Sequence, residues 1–190
     1  MSGPNSLAQP RQGLRGNNVR VKSLIVGCDP GTAVVGYGVL EAMPDRYRAL
    51  AWGVIRTEVA AGLPERLREL HRRFGALLDA WRPDVLVVEE LLVGRKPRTA
   101  LATAHARGVI MLAAAQRGVQ VRAYAPTEAK LAVAGYGAAA KGQVQFMVKT
   151  LLGLPEVPEP DDAADALALA LCHAHRSLGR GGALHRPERY

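Results

Sequence analysis

The chain has 190 residues, 48% of them hydrophobic and 22% charged, and a formal net charge of +8. That length fits one domain with an ordinary core, and no apolar run approaches the roughly 20 residues a membrane helix needs, so the composition predicts a protein outside the membrane. Residues 1–20 are polar and lack the apolar stretch of a secretory signal, which predicts a cytoplasmic protein. Cys28 and Cys172 have neither metal-ligand spacing nor a disulfide framework, and read as two small buried thiols in a reducing cytoplasm.

Charge is segregated along the chain. Residues 91–149 carry nine basic groups and only Glu128, whereas residues 150–175 carry five acids and no base. The pattern suggests a basic surface for phosphates beside an acidic pocket for cations. A solvated basic face would give the same counts, so charge alone only brings nucleic acid into consideration.

In chain order, residues 1–20 form a predicted disordered basic arm, residues 21–178 the folded domain and residues 179–190 a flexible tail. Residues 22–28 are a short apolar run closed by Asp29-Pro30-Gly31, a buried strand followed by a turn. Residues 36–41 and 47–57 read as the second and third strands, and a reversal at Pro44-Asp45 would pair the three as an antiparallel meander. Residues 63–81 place Leu67, Leu70, Phe74, Leu77 and Leu78 at helical spacing, with Pro64 in the first turn. Residues 84–89 form a buried strand ending in a carboxylate, residues 99–117 an Ala-rich helix, and residues 119–124 the fifth strand. Helices follow over 126–133, 141–152 and, after Pro155, Pro158 and Pro160, over 161–178. The alternation predicts an α/β fold, a mixed five-stranded sheet flanked by helices.

Asp29 ends the first strand and Glu89 the fourth, and carboxyl ends of neighbouring strands open into a shared crevice. Asp162 and Asp165 lie three apart at the start of the last helix and share a face. Four converging carboxylates need neutralising, and hard divalent cations such as Mg²⁺ take oxygen ligands between carboxylates and substrate phosphates. Two such ions support in-line phosphoryl displacement. Each acid also has an ordinary explanation. Asp29 suits a turn, Glu89 could be solvated, and Asp161, Asp162 and Asp165 suit a helix start. Glu90 points away from Glu89, so only one of them can face the site.

The segments V-G-C-D-P-G-T-A-V-V-G-Y-G-V, V-V-E-E, A-A-A-K-G-Q-V-Q-F-M-V-K and D-D-A-A-D-A-L-A-L-A, in order between Val21 and Ser177, resemble the RuvC Holliday junction resolvases. The resemblance implies the RNase H-like fold and a homodimeric, Mg²⁺-dependent enzyme, with Mn²⁺ as a substitute, that nicks two symmetric strands of four-way junction DNA. It also implies two ions per site and a RuvAB branch-migration complex as partner. By motif position Asp29, Glu89, Asp162 and Asp165 match the family's acidic metal ligands. Asp161 competes in register with Asp162, and the A-A-D spacing favours Asp162. Lys130 and Lys141 match basic residues that contact DNA near the cut. Two departures stand out: Leu92 occupies a loop position where many members carry an aromatic residue, and Cys28 replaces a usual aliphatic one. An apolar wedge can still intrude between bases, without aromatic stacking.

Arg95, Lys96 and Arg98 follow the Leu92 loop, and Arg107, Arg122 and Lys149 extend the basic segment as further phosphate contacts. Ala100, Ala104, Gly108 and Ala115 form a stripe of small residues that suits core packing or a subunit contact, core packing being the simpler choice. The two-fold symmetry of a junction favours a two-fold dimer with this helix near its interface. His71, His105, His173 and His175 lack metal spacing with a third ligand; His173, His175 and Arg176 are predicted to offset the dipole at the end of the last helix. An RNA–DNA hybrid nuclease on the same fold stays open here. A phosphate loop at Asp29-Pro30-Gly31-Thr32 resembles that of actin-like kinases, but those need two such domains and 190 residues cannot hold both. The presence of all four acids argues against a junction-binding module without catalysis.

Overall fold

The computed structural model describes residues 22–91 and 97–178, and every side chain in them save those of residues 97–99. The predicted arm and tail, together with Leu92, Arg95, Lys96 and the Arg98 side chain, lie outside the described residues.

Five strands form one sheet in the order β3-β2-β1-β4-β5. Strands β1 (Ser23–Asp29), β2 (Val34–Ala42) and β3 (Tyr47–Arg56) make the predicted antiparallel meander, turning at Pro44-Asp45. Strand β4 (Val85–Glu89) runs parallel to β1, and β5 (Gln120–Tyr124) parallel to β4, so the sheet is mixed. The β1–β2 ladder continues to the pair Asp29–Gly36, which carries β1 to Asp29, and the pair Val34–Arg56 with β3 starts β2 two residues earlier than alternation suggests.

Period-two alternation sorts the β1 and β4 side chains between two cores. Val26, Cys28, Leu86 and Val88 face α1 (Leu63–Trp81) and α2 (Pro97–Ala115), whose Leu70, Phe74, Leu78, Ala106 and Ile110 complete that layer. Ile25, Val85 and Val87 face α3 (Pro126–Ala134), α4 (Lys141–Leu152) and α5 (Asp161–Ser177). Asp29 and Glu89 belong to this second face by the same alternation. Both cysteines are buried, free thiols.

The stripe of small residues on α2 does not pack into the core. Ala106, Ile110, Ala113 and Ala114 are the buried positions, whereas Gly108 and Ala115 are exposed and Ala100 and Ala104 half-buried. Apolar pattern cannot orient a helix that is Ala-rich all round; the larger Ile110 and the sheet beneath it decide which side goes in.

Candidate active site

The site begins with two strand ends. β1 and β4 pair through Cys28–Val88, and the next residue of each is a carboxylate, so Asp29 and Glu89 lie side by side at the sheet edge. The last helix brings the other two. Gly27, Gly36 and Gly38 open a furrow in the sheet face, and α5 rests in it: a Cβ on Gly27 would lie 1.9 Å from the Ala166 carbonyl oxygen, and one on Gly36 2.0 Å from that of Asp162. No side chain fits there, so the helix backbone approaches the strands directly. Asp162 and Asp165 are thereby delivered to Asp29, which all three neighbouring acids affect.

The electrostatic consequence is large. Burial, then Glu89, Asp165 and Asp162, pushes the Asp29 carboxyl from 3.8 up to about 7, with Lys141 opposing. Burial and Asp165 also raise Glu89, against Lys130. Asp165 is raised mainly by burial, while Lys141 opposes. Lys141 begins α4, and its Nζ lies 3.1 Å from Asp161 Oδ2 and 3.2 Å from Asp165 Oδ2. Burial works against the charge on Lys141, but these carboxylates outweigh it and hold the ammonium above its ordinary value.

Asp29, Glu89 and Asp165 line a cavity of about 230 Å³ with Lys130 and Lys141 among its other walls. Asp161 stays exposed and accepts a 2.8 Å hydrogen bond from Gln145 Nε2. It pairs with Lys141, as Asp165 does, and is not among the acids that raise Asp29.

The donors are all carboxylate oxygens, suited to a hard divalent cation. Among the described residues no three His, Cys, Asp or Glu side chains close into a ready-made metal cage.

A profile of the crossover junction endodeoxyribonucleases called RuvC matches residues 25–173. The chain belongs to the RuvC family. It is 49% identical over 159 residues to RuvC of Desulforamulus reducens, covering 84% of this chain and 98% of that one. RuvC of Pelotomaculum thermopropionicum is 51% identical over 152 residues, covering 80% and 93%. Among solved structures, Thermus thermophilus RuvC in complex with a Holliday junction substrate superposes with a TM-score of 0.78 at 37% identity, over 83% of this chain and 96% of that chain. The yeast mitochondrial Holliday junction resolvase is alike in fold, with a TM-score of 0.61 at 17% identity over 86% and 83%. The fold is thus the RNase H-like one of RuvC. RuvC nucleases depend on a divalent metal.

Several RuvC positions here have roles that sequence reasoning missed or misread. The furrow glycines carry a signal legible in the sequence, since a strand with glycine at every second position marks close backbone approach. Arg107, expected as a phosphate contact, is half-buried and donates its Nε to the Glu89 carbonyl at 3.1 Å, which ties the end of β4 to α2. Arg122 donates to the Val121 carbonyl and to Gln120, on its own strand. His173 does not offset the helix dipole. Burial, then Arg122, pushes it down to about 4, so it is neutral near pH 7, and its Nδ1 meets the Tyr124 hydroxyl at 2.8 Å. Arg176 pairs with Glu128.

Proposed function

We propose that this RuvC-family chain resolves four-way DNA junctions by Mg²⁺-dependent hydrolysis, with Asp29, Glu89, Asp162 and Asp165 holding two ions and Lys130 and Lys141 on the phosphate. One observation carries the reading: Asp29, Glu89 and Asp165 share one cavity with the two lysines. Two divalent ions would supply a water activated at neutral pH and charge neutralisation at the leaving oxygen. The chain's own groups do the rest. Asp29, set between Glu89 and the start of α5, would hold the ions together with Glu89, and Asp162 and Asp165 would add oxygen ligands from the helix side. Lys130 and Lys141 orient a backbone phosphate against these acids and stabilise its developing charge. In the free protein Lys141 pairs with Asp161 and Asp165, so a phosphate entering the cavity exchanges one anionic partner of Lys141 for another.

Junction symmetry calls for two such sites, and α2 offers the surface for a homodimer. Leu101 is 60% exposed, Leu112 52%, and Gly108 opens onto free space. Beside them Met111, Leu112 and Ala115 line a groove of about 750 Å³. A second copy covering this face would bury apolar surface that a monomer leaves wet. Among the described residues no helix is long and apolar enough to cross a membrane. Family membership supports work in the cytoplasm alongside a RuvAB branch-migration complex.

The test is cleavage of a labelled synthetic four-way junction, beside duplex and RNA–DNA hybrid, in Mg²⁺, Mn²⁺ or EDTA, with Asp29→Asn run in parallel. Paired symmetric nicks that need both metal and Asp29 are expected. Cutting of the hybrid alone would replace the reading with a ribonuclease, and binding without cutting in either metal would leave an architectural protein.

A further inference from the structure

The cavity lysine Lys130 stands on α3, a nine-residue helix with only Ala129 and Val133 buried. A helix this short is marginal by itself, and two small side chains fix its position along the sheet better than its rotation about its own axis. Something else must set where Lys130 points.

The polar contacts of α3 supply it. Glu128 Oε2 accepts the Ala125 N–H at 2.8 Å, closing the first turn, while its Oε1 pairs with Arg176 near the end of α5. The Arg176 guanidinium lies 5.2 Å from the centre of the Tyr124 ring, and Tyr124 sits opposite Glu89 in the β4–β5 register. The Tyr124 hydroxyl in turn meets His173, one turn before Arg176 on the same helix. Burial pushes Tyr124 up to about 12 and His173 down to about 4, so neither changes charge at working pH and the Arg176 seat is constant. Residues two apart on a helix do not share a face. A pin on Glu128 therefore restrains the rotation that would swing Lys130 in or out of the cavity.

We infer that Arg176 is a positioning residue of the cutting reaction, which acts through its ion pair with Glu128 to hold Lys130 against the carboxylates carried by the same helix, α5. The inference rests on the reading of Lys130 as a phosphate-contacting residue. Both ends of the pin join groups that must meet. Glu128 is two residues from Lys130, and Arg176 lies on the rod that delivers Asp162 and Asp165.

The test is single-turnover cutting of a saturating four-way junction by Arg176→Met, Arg176→Lys, Glu128→Gln and Lys130→Ala, and by Arg176→Met in the Lys130→Ala background. Glu128→Gln keeps the oxygen that caps α3 and removes only the ion pair, so it reports even where Arg176→Met folds poorly. Arg176→Met and Glu128→Gln should each slow cutting about tenfold with junction affinity changed less than about twofold, and Arg176→Lys should recover most of the rate. In the Lys130→Ala background Arg176→Met should cost less than about twofold, because the group it positions is gone. An equal loss in both backgrounds overturns the inference and leaves the reading of the site intact. Full activity of Lys130→Ala would instead sink the role of Lys130, and the inference with it.

Discussion

A Cβ on Gly36 would stand 2.0 Å from the Asp162 carbonyl oxygen, and Gly36 is the residue that pairs with Asp29 across β1 and β2. The absence of one side chain therefore sets the spacing between two of the carboxylates. Gly36→Ala should push the start of α5 off the sheet, since the clash is with backbone and no rotamer relieves it. The expected loss is about 3 kcal/mol of stability, the upper part of the overpacking range. Cutting should fall by up to about 100-fold, the scale of a misplacement near 1 Å. Thermal denaturation and single-turnover assays check both. Near-normal activity would mean that α5 is seated by other contacts.

Asp29 makes the metal-free protein sensitive to pH. Its carboxyl rises from 3.8 to about 7 on folding, so the folded state holds a proton that the unfolded state releases. Stability from this group therefore falls as pH increases from about 4 to about 7, and the cost stays in full above that. Asp29→Asn should raise stability at pH 8 without metal by about 1–2 kcal/mol, after allowing for partial exposure, with the gap closing near pH 4. Mg²⁺ should stabilise the wild type more than the variant, and bind it more tightly at pH 8 than at pH 6. Calorimetry at the two pH values measures both, and a pH-independent affinity would contradict the coupling.

Asp161 and Asp162 are neighbours with different surroundings. Asp161 is exposed, and Lys141, then Gln145, holds its carboxyl below the ordinary range. Asp162 is half-buried against the glycine furrow and adds to the charge felt by Asp29. Asp162→Asn should reduce cutting about 100-fold, whereas Asp161→Asn should stay within about threefold. The reverse order in a metal-dependent cleavage assay would shift the ligand register by one residue.

The exposed face of α2 makes the last prediction. Leu112→Arg places a charge in the apolar centre of that face, where burial without a partner is costly. Sedimentation should show a monomer with an unchanged melting temperature, and junctions should be nicked on one strand at a time. A persistent dimer would place the subunit contact on another surface.

Much of this was readable along the chain because the physics behind it is local. Alternating burial, the Pro-Gly stop after Asp29 and the carboxylates at two strand tips each follow from neighbours within a few residues, and so does the meander of β1, β2 and β3. Choosing between Asp161 and Asp162 was not within reach of spacing alone, since residues three and four apart both share a face with Asp165. The inner face of α2, the neutrality of His173, the bond from Arg107 to Glu89 and the Glu128–Arg176 pin were settled only by tertiary structure. Each depends on groups distant in the chain meeting in one place, and on how much water is excluded when they do. Burial moves a carboxyl to about 7 and a histidine to about 4, and no spacing of residues along a chain encodes that exclusion.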